Sequence, residues 1–417
     1  MTPPPLVSSL TARQEWSAMW PMPIIGMLGI AGGAMLAYSS GVVMVEMTRA
    51  FGWSRAEFAS GFTIQMLVGL ALAPVVGRII SRMGARRTAL FGIIPFVIGF
   101  SSLGFANGDI WQWRFLCVLQ AVGVTFISPA VWLTAIVGRF NASRGLAIAT
   151  ALAGIGIATA IWPILAALYV SEFGWRLTFA ALAISWGLVL WPLCYFCFFG
   201  PESISSVPES GPPILQTNAA DSDAASIRNI LLTRTFLYLF LAGMLFSVIA
   251  LGVNLHMVPI MQGNGFSLPT AAKIAGLAGI LTLAGRIAVG FILDHVPARW
   301  VGIVIFLLPV ASSLLLLNGN GSLSMSLAAA ILFGLASGGE IDLITYIISK
   351  RLPAHSFAPV YASLLAVFAA TASVGPLLAG AMFDARGSYD SFLILIIPIA
   401  TLGAILIWLL PPVTRQV

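Results

Sequence analysis

The sequence is divided into apolar runs, each long enough to cross a lipid bilayer as a helix. A membrane-spanning helix needs about 20 mainly apolar residues. Hydrophobic residues make up 59% of the chain and charged residues 8%, whereas a soluble domain is about one-quarter charged. The pattern therefore predicts an all-α integral membrane protein with twelve transmembrane helices. These are expected near residues 19–45, 55–79, 88–106, 112–137, 145–170, 176–199, 233–260, 268–293, 300–318, 324–349, 357–384 and 391–411.

The positive charges indicate how these helices are oriented. The formal net charge is +6, and most of the cations fall in loops on one side of the predicted membrane. This is the positive-inside bias of membrane proteins, so nucleic acid is not needed to explain the charge. It predicts the inner (plasma) membrane as the location and cytoplasmic positions for both termini. The first sixteen residues lack the apolar core of a signal peptide, so we expect no cleaved leader.

A polar segment and an internal repeat divide the chain into halves. Residues 200–232 are rich in Pro, Ser and acidic residues, which favours a cytoplasmic linker. It separates an N-terminal six-helix bundle at 1–199 from a C-terminal one at 233–417. GWSRAEFA at 52–59 matches GFSLPTAA at 265–272, and GRIISRMGARR at 77–87 matches the segment from 290 to 299, both at an offset of 213 positions. Such pseudo-symmetric duplication is typical of secondary transporters, whose binding site lies between the repeats.

The loops after the second and eighth predicted helices carry the first family resemblance. They resemble the cytoplasmic loop motif of the major facilitator superfamily, G-x-x-x-D-R-x-G-R-R, although the first copy has Ser81 at the acidic position and the second has His295 and Pro297. The resemblance implies the major facilitator fold and a gating role for these loops. We expect the glycines to let helices approach closely. The residues concerned are Gly77, Arg82, Gly84, Arg86 and Arg87 in the first copy, and Gly290, Asp294 and Arg299 in the second.

Six further segments narrow the resemblance. RFNASRGLAIATALAGIGIATAIWP, GWRLTF, NLHMVPIMQGNGFS, LAGRIAVGFILDH, ASGGEIDLITY and SVGPLLAGAMFDARGSYD resemble bacterial relatives of the monocarboxylate transporters and oxalate:formate antiporters over nearly the whole chain. The family pattern is incomplete. Thr282 stands where an acid is typical, no lysine lies in the first helix, and Ala369 or a neighbour replaces a second buried cation. One intramembrane cation favours a monoanion over a dianion.

Three ionisable residues lie deep in predicted helices: Arg286, Glu340 and Asp342. A charge at a helix centre costs about 2.5 to 3.5 kcal/mol on insertion scales, so each needs a reason. A guanidinium suits the two oxygens of a carboxylate. Positions i and i+2 point about 200° apart on a helix, so the two acids cannot both face one cavity. Either acid could be a proton site or counter-charge for Arg286, or both could be structural partners.

Several polar side chains are candidate walls of the binding site. His256 could carry a coupling proton or donate to a carboxylate, although a hydrogen-bonded packing role is the alternative. Gln65, Gln120 and Trp162 are further candidates, with interior packing favoured for each. The predicted substrate-binding residues are Arg286, His256, Asn254, Tyr38, Thr282 and Tyr346.

These features favour a transporter over an enzyme. No metalloprotease, nucleotide-binding or nucleophile motif stands out, and we expect no cofactor and no metal. The leading hypothesis is a secondary active carrier of a small organic monocarboxylate, working by alternating access, coupled to protons and monomeric as a functional unit. The alternatives are an exchanger without net proton movement, uptake of a larger aromatic acid, or a transporter-shaped sensor.

Overall fold

The structure is a computed structural model that describes residues 11–198, 233–319, 321–351 and 354–411. Those residues form helices and short connections, without a strand. The helices up to the linker are α1 (Ala12–Met19), α2 (Pro21–Gly33), α3 (Met35–Phe51), α4 (Arg55–Met83), α5 (Ala85–Ser102), α6 (Ile110–Thr125), α7 (Pro129–Val137), α8 (Arg144–Leu152) and α9 (Gly154–Cys197). A short 3₁₀ turn, Leu103–Phe105, follows α5.

The helices after the linker are α10 (Arg234–Gly263), α11 (Leu268–Leu293), α12 (Ala298–Asn318), α13 (Leu323–Ser349), α14 (Ala354–Ala372), α15 (Val374–Arg386) and α16 (Asp390–Trp408). The predicted linker, 200–232, lies outside the described residues, so the division into two bundles stays a prediction. Residues 11–198 are called the first half below, and residues 233–411 the second half.

The described helices include eleven segments long and apolar enough to cross a membrane. One of them, Arg144–Cys197, has 54 residues, far more than one crossing needs. It reverses direction at Gly174, whose φ of 72° lies in the left-handed region that favours glycine. Counting its two arms separately gives twelve crossings, which confirms the predicted number.

The ends of the bundle form two faces. The Arg55 face contains the beginning of α4, the bend at Gly174 and the connection between α15 and α16. There the Trp53 indole donates to the Gly108 carbonyl at 2.8 Å. The Glu15 face is the opposite end, where α1 packs against the connection between α7 and α8.

The two halves are in contact near the Arg55 face and separate towards the Glu15 face. On α4, the Thr63 hydroxyl donates to the Ser373 carbonyl at 2.8 Å, but Leu67, one turn further, is 51% exposed. On α11, Leu283 packs against Gly156 of α9, but Ile287, again one turn further, is 69% exposed. The cleft between the halves is therefore open at the Glu15 face.

Candidate functional site

The crossing of α11 and α13 positions Arg286. Gly338 of α13 lies directly against the Thr282 carbonyl and the Arg286 backbone nitrogen, and a Cβ at Gly338 would collide with that carbonyl. A Cβ at Gly285 would likewise collide with the Leu335 carbonyl. Small residues allow membrane helices to approach until their backbones touch. This close crossing brings the arginine of one helix next to the acids of the other.

Arg286 and Asp342 form a loose ion pair. The Arg286 Nη1 and Asp342 Oδ1 atoms are 3.7 Å apart, and the two side chains are 24% and 30% exposed. A tight pair would place nitrogen and oxygen at 2.7 to 2.9 Å, often through two parallel hydrogen bonds. The guanidinium is therefore held near one acid while remaining accessible.

Glu340 is on the same helix but in a different environment. Its side chain is 7% exposed, and its Oε1 atom has no hydrogen-bond partner among the described residues. Both Arg286 and Asp342 are near enough to influence its charge. The two acids thus differ as their spacing predicts: Asp342 meets the arginine in the partly open space, and Glu340 is buried.

The first half contributes Tyr38 from α3 to the same region. Its hydroxyl is beside the Thr159 hydroxyl of α9 and within electrostatic range of Arg286. The Thr159 hydroxyl also donates to the Ile155 carbonyl at 2.9 Å. A cation of the second half therefore faces two hydroxyls of the first half across the boundary between them.

Three other predicted site residues are Thr282, Tyr346 and Asn254. Thr282 is buried one turn before Arg286, and its hydroxyl donates to the Ala278 carbonyl at 2.9 Å. Tyr346 is one turn beyond Asp342, with the Lys350 ammonium 5.5 Å from its ring centre. Asn254 is partly buried on α10.

His256 is not brought to Arg286. It lies seven residues before Gly263, the end of α10, whereas Arg286 lies eighteen residues after Leu268, the start of α11. At 1.5 Å per residue these positions are about 10 Å and about 27 Å from the same end of the bundle. The sequence places two polar residues in the membrane, but it does not show that they belong to different sites.

His256 instead belongs to a hydrogen-bonded chain near the Arg55 face. Its Nε2 atom is 3.0 Å from the Pro376 carbonyl oxygen, and its Nδ1 atom is 2.7 Å from the Tyr389 hydroxyl. That hydroxyl also accepts a short hydrogen bond from the Arg55 guanidinium of the first half. Burial raises the pKa of Tyr389 well above its ordinary value, so its phenol keeps the proton that it donates.

Asp384 and Phe383 complete the contact at this face. The Asp384 carboxylate accepts from the backbone amides of Arg55 and Ala56 at 2.8 and 2.9 Å, and so caps the beginning of α4 from the other half. The Arg55 guanidinium carbon lies 3.4 Å from the centre of the Phe383 ring, a cation–π contact. We refer to Arg55, His256, Phe383, Asp384 and Tyr389 as the Arg55 closure. Of these residues, only His256 was predicted from the sequence to have a functional role.

The glycines of the loop motif differ from expectation. A Cβ at Gly77 or Gly290 would meet nothing within 4 Å, so neither glycine makes the expected close helix contact in this structure. The reason is that both lie beyond the points where the halves separate. Gly84 has another role, because its φ of 80° allows the sharp break between α4 and α5.

The charged residues of the motif lie at the Glu15 face. The Arg86 guanidinium donates to the Tyr195 carbonyl at 2.6 Å, and the Arg299 guanidinium is 5.2 Å from the Trp408 ring centre. Asp294 is the C-cap residue of α11, and its backbone amide donates to the Phe291 carbonyl at 3.3 Å. Arg82 and Arg87 are exposed. A gating role for these residues stays a prediction.

Glu15 anchors α1 to the loop before α8, a contact that the sequence did not indicate. Its carboxylate accepts from the backbone amides of Asn141, Ala142 and Ser143 at 2.8 to 2.9 Å and from the Ser143 hydroxyl at 2.8 Å. Burial opposes ionisation of Glu15, but the amides of Ala142, Asn141 and Ser143 outweigh it and lower the pKa from 4.5 to about 2.

The remaining candidate polar residues are buried. Trp162 donates to the Ala31 carbonyl at 2.7 Å, in agreement with a packing role. Gln65 and Gln120 are buried and have amide atoms without a hydrogen-bond partner in the part of the chain that the structure describes. The described residues also contain no group of His, Cys, Asp and Glu side chains that could hold a metal ion. Cys194 and Cys197 are free thiols.

Comparison with known proteins agrees with this architecture. Residues 24–367 match the model of the Major Facilitator Superfamily. Monocarboxylate transporter 13 of Bos taurus is 26% identical over 287 residues, which are 66% of this chain and 64% of the bovine protein. Monocarboxylate transporter 12 of Mus musculus is 24% identical over 382 residues, covering 85% of this chain and 77% of the mouse protein.

Solved structures show the same fold. A D-xylose–proton symporter aligns with a TM-score of 0.72 and 15% identity, covering 95% of this chain and 98% of that one. The nucleoside transporter NupG aligns with a TM-score of 0.71 and 11% identity, covering 93% and 97%. These relatives and neighbours are transporters rather than enzymes. The chain therefore belongs to the Major Facilitator Superfamily and is a multi-pass membrane transporter with the twelve-helix fold of that family.

Proposed function

We propose that the protein carries a small organic monocarboxylate across the membrane by alternating access, with Arg286 binding the carboxylate. The observation that carries this proposal is the loose, partly exposed pair of Arg286 and Asp342. A guanidinium has donors for two carboxylate oxygens, and the 3.7 Å contact with Asp342 leaves room for a substrate to replace that acid. The substrate would exchange one counter-charge for another, so the guanidinium would not be left unpaired.

The surroundings of Arg286 support a single negative charge on the substrate. The described part of the cleft brings one arginine, two acids and the Tyr38 hydroxyl together, which gives little compensation for a second anionic group. The similarity to monocarboxylate transporters 12 and 13 favours the same substrate class. Tyr38 and Thr159 would then hydrogen-bond the polar end of a short acid.

Of the two acids on α13, Glu340 is a better candidate than Asp342 for the residue that binds a coupling proton. A buried carboxylate is costly unless it is paired and hydrogen-bonded. Glu340 has an oxygen without a hydrogen-bond partner in the described part of the chain, and it lies close to another acid. Binding a proton removes that cost. A protonated Glu340 would also leave Asp342 and the substrate as the anions that compete for Arg286. Coupling through this pair makes proton symport the favoured mode.

The distribution of cations gives the orientation that we propose. The Glu15 face, with its loop arginines, would be cytoplasmic and the Arg55 face external, in the inner (plasma) membrane. The cleft that opens at the Glu15 face then corresponds to an inward-facing state. The functional unit would be a monomer, since one chain supplies both sides of the cleft.

Uptake into proteoliposomes tests the proposal. Purified protein should accumulate radiolabelled lactate or acetate in response to an inward proton gradient, and the uncharged analogue lactamide should not compete. Arg286→Gln should abolish carboxylate uptake, and Arg286→Lys should weaken it at least tenfold because an ammonium cannot form the two parallel bonds. The control is Arg13→Gln, which changes an exposed arginine of α1 outside the cleft and outside the loop motif. Undiminished uptake by Arg286→Gln would refute the assigned site.

The alternative modes are separated by the driving force. Collapse of the proton gradient should stop symport, whereas an exchanger needs only a carboxylate on the opposite side. Aromatic monocarboxylates in the same competition assay test for a larger substrate, and binding without flux would indicate a sensor.

A further inference from the structure

The Arg55 closure has hydrogen bonds with defined directions. The Pro376 carbonyl can only accept, so the His256 Nε2 atom carries a hydrogen. In a neutral imidazole the other nitrogen is then an acceptor, and the Tyr389 hydroxyl must donate to it. That hydroxyl in turn accepts from the Arg55 guanidinium. The chain thus runs from Arg55 to Tyr389, to His256 and to Pro376, with each donor facing an acceptor.

This arrangement exists only while His256 is neutral. A proton on Nδ1 would turn it into a donor that faces the Tyr389 hydroxyl. The phenol oxygen would then accept from two cations, and its own hydrogen would lose the His256 acceptor in a buried position. Tyr389 is 5% exposed and His256 is fully buried, so water cannot compensate inside the closed contact.

We propose that His256 is a proton-binding switch of the Arg55 closure, so that a proton taken up from the Arg55 face holds that face open. The link matters because Arg55 belongs to the first half, whereas His256, Pro376 and Tyr389 belong to the second. Breaking the bond between Arg55 and Tyr389 removes a contact across the cleft that must open in alternating access. In the open state His256 reaches water, where its protonated form is solvated.

Other ionisable groups near this face do not bond the imidazole, since both of its nitrogens are already occupied. Arg55 is the closest cation and Asp384 its neighbouring anion. Ionisable groups on the helices at this end also include Glu46 and Arg49 on α3, Glu57 on α4, Arg114 on α6, Glu172 and Arg176 on α9, Lys273 on α11, Arg386 on α15 and Asp390 on α16. Glu57 accepts from the Ser54 amide, Arg386 donates to Ser391, and Lys273 and Asp390 are exposed. The switch is separate from Arg286 and does not depend on which anion is carried.

The test measures the width of the Arg55 face as a function of pH. Spin labels at Asn107→Cys and Asp390→Cys, two exposed positions in opposite halves, report the distance in a background in which Cys117, Cys194 and Cys197 are replaced by Ala. Between pH 8 and pH 5.5 the labels should show a growing long-distance population. The open-to-closed ratio should rise by up to about tenfold per pH unit, since one proton is bound.

Two variants separate His256 from other groups. His256→Gln supplies an acceptor for Tyr389 and a donor for Pro376 but cannot bind the proton, so it should stay closed over the whole pH range. Tyr389→Phe should be more open than the parent protein at pH 8 and should respond less to acid. A parent protein that does not change with pH, or a His256→Gln variant that opens with acid like the parent, would overturn the proposal.

Discussion

Asp384 caps the first turn of α4 from the opposite half of the protein, with its two carboxylate oxygens 2.8 and 2.9 Å from the backbone nitrogens of Arg55 and Ala56. The unpaired amides and the dipole at a helix beginning favour such an anion. The carboxylate and the amides belong to different halves, so this cap exists only while the Arg55 face is closed.

Removal of this cap should open the Arg55 face. In Asp384→Ala the amides lose both acceptors, and we expect the closed state to weaken by about 1 kcal/mol, roughly fivefold in population, because the site is partly exposed to solvent. Spin labels at positions 107 and 390 measure the change. Glu172→Gln, an exposed acid near the same face, is the control and should leave the distances unchanged. An Asp384→Ala variant as closed as the parent would show that other contacts suffice.

Neutralisation of Asp342 should strengthen binding and slow turnover. Asp342→Asn keeps the size of the side chain but removes the counter-charge that competes with a substrate for Arg286. A partly exposed ion pair contributes up to about 1 kcal/mol, so the dissociation constant for a carboxylate should fall about threefold to fivefold. Calorimetry on purified protein measures it. Glu172→Gln, which removes an exposed acid outside the cleft, is the control. Equal affinity in Asp342→Asn and the parent would remove Asp342 from the site.

A methyl group at Gly338 should disrupt the crossing that positions Arg286. In Gly338→Ala the new carbon collides with the Thr282 carbonyl, and backbone atoms cannot move aside cheaply. We expect a loss of about 3 kcal/mol in stability together with loss of transport. Gly290→Ala on the neighbouring helix meets nothing within 4 Å, so it should be neutral or slightly stabilising, as alanine favours helix. Thermal unfolding in detergent distinguishes the two variants.

The sequence was sufficient for the fold because each crossing is a local property. Twelve apolar runs and one glycine at the bend, Gly174, specify the helices without knowledge of their partners. The depth of Arg286, Glu340 and Asp342 also follows from helix rise. The spacing of the two acids predicted that they would not face one cavity together, but it left open which of them pairs with Arg286.

Contacts between distant residues could not be predicted in this way. Arg55 and Asp384 are separated by 329 positions, and each resembles an ordinary charged residue at a helix end. His256 looked like a neighbour of Arg286 because both are polar residues inside helices, but its partner Tyr389 is in a connection between helices. The contact of the Glu15 carboxylate with the amides of residues 141–143, called the Glu15 anchor below, was missed for the same reason. Every residue except proline has a backbone amide, so the sequence does not show which amides bind a carboxylate.

The Glu15 anchor should hold over the physiological pH range and fail only in strong acid. Because the pKa is lowered from 4.5 to about 2, the contribution of the ionised carboxylate is complete above pH 4.5 and disappears as the pH falls through about 2. A spin label at Ser17→Cys, on the exposed side of α1, should therefore remain immobile at pH 7 and pH 4. In Glu15→Gln the amides of residues 141–143 lose the anionic acceptor, so the label should already be mobile at pH 7, and these amides should exchange hydrogen faster.

The control for this variant is the neighbouring Gln14→Glu, which keeps an acceptor for the Thr11 amide and should leave α1 in place. A Glu15→Gln protein with an immobile label and protected amides would show that packing of Trp16 on Phe140 is enough to hold α1.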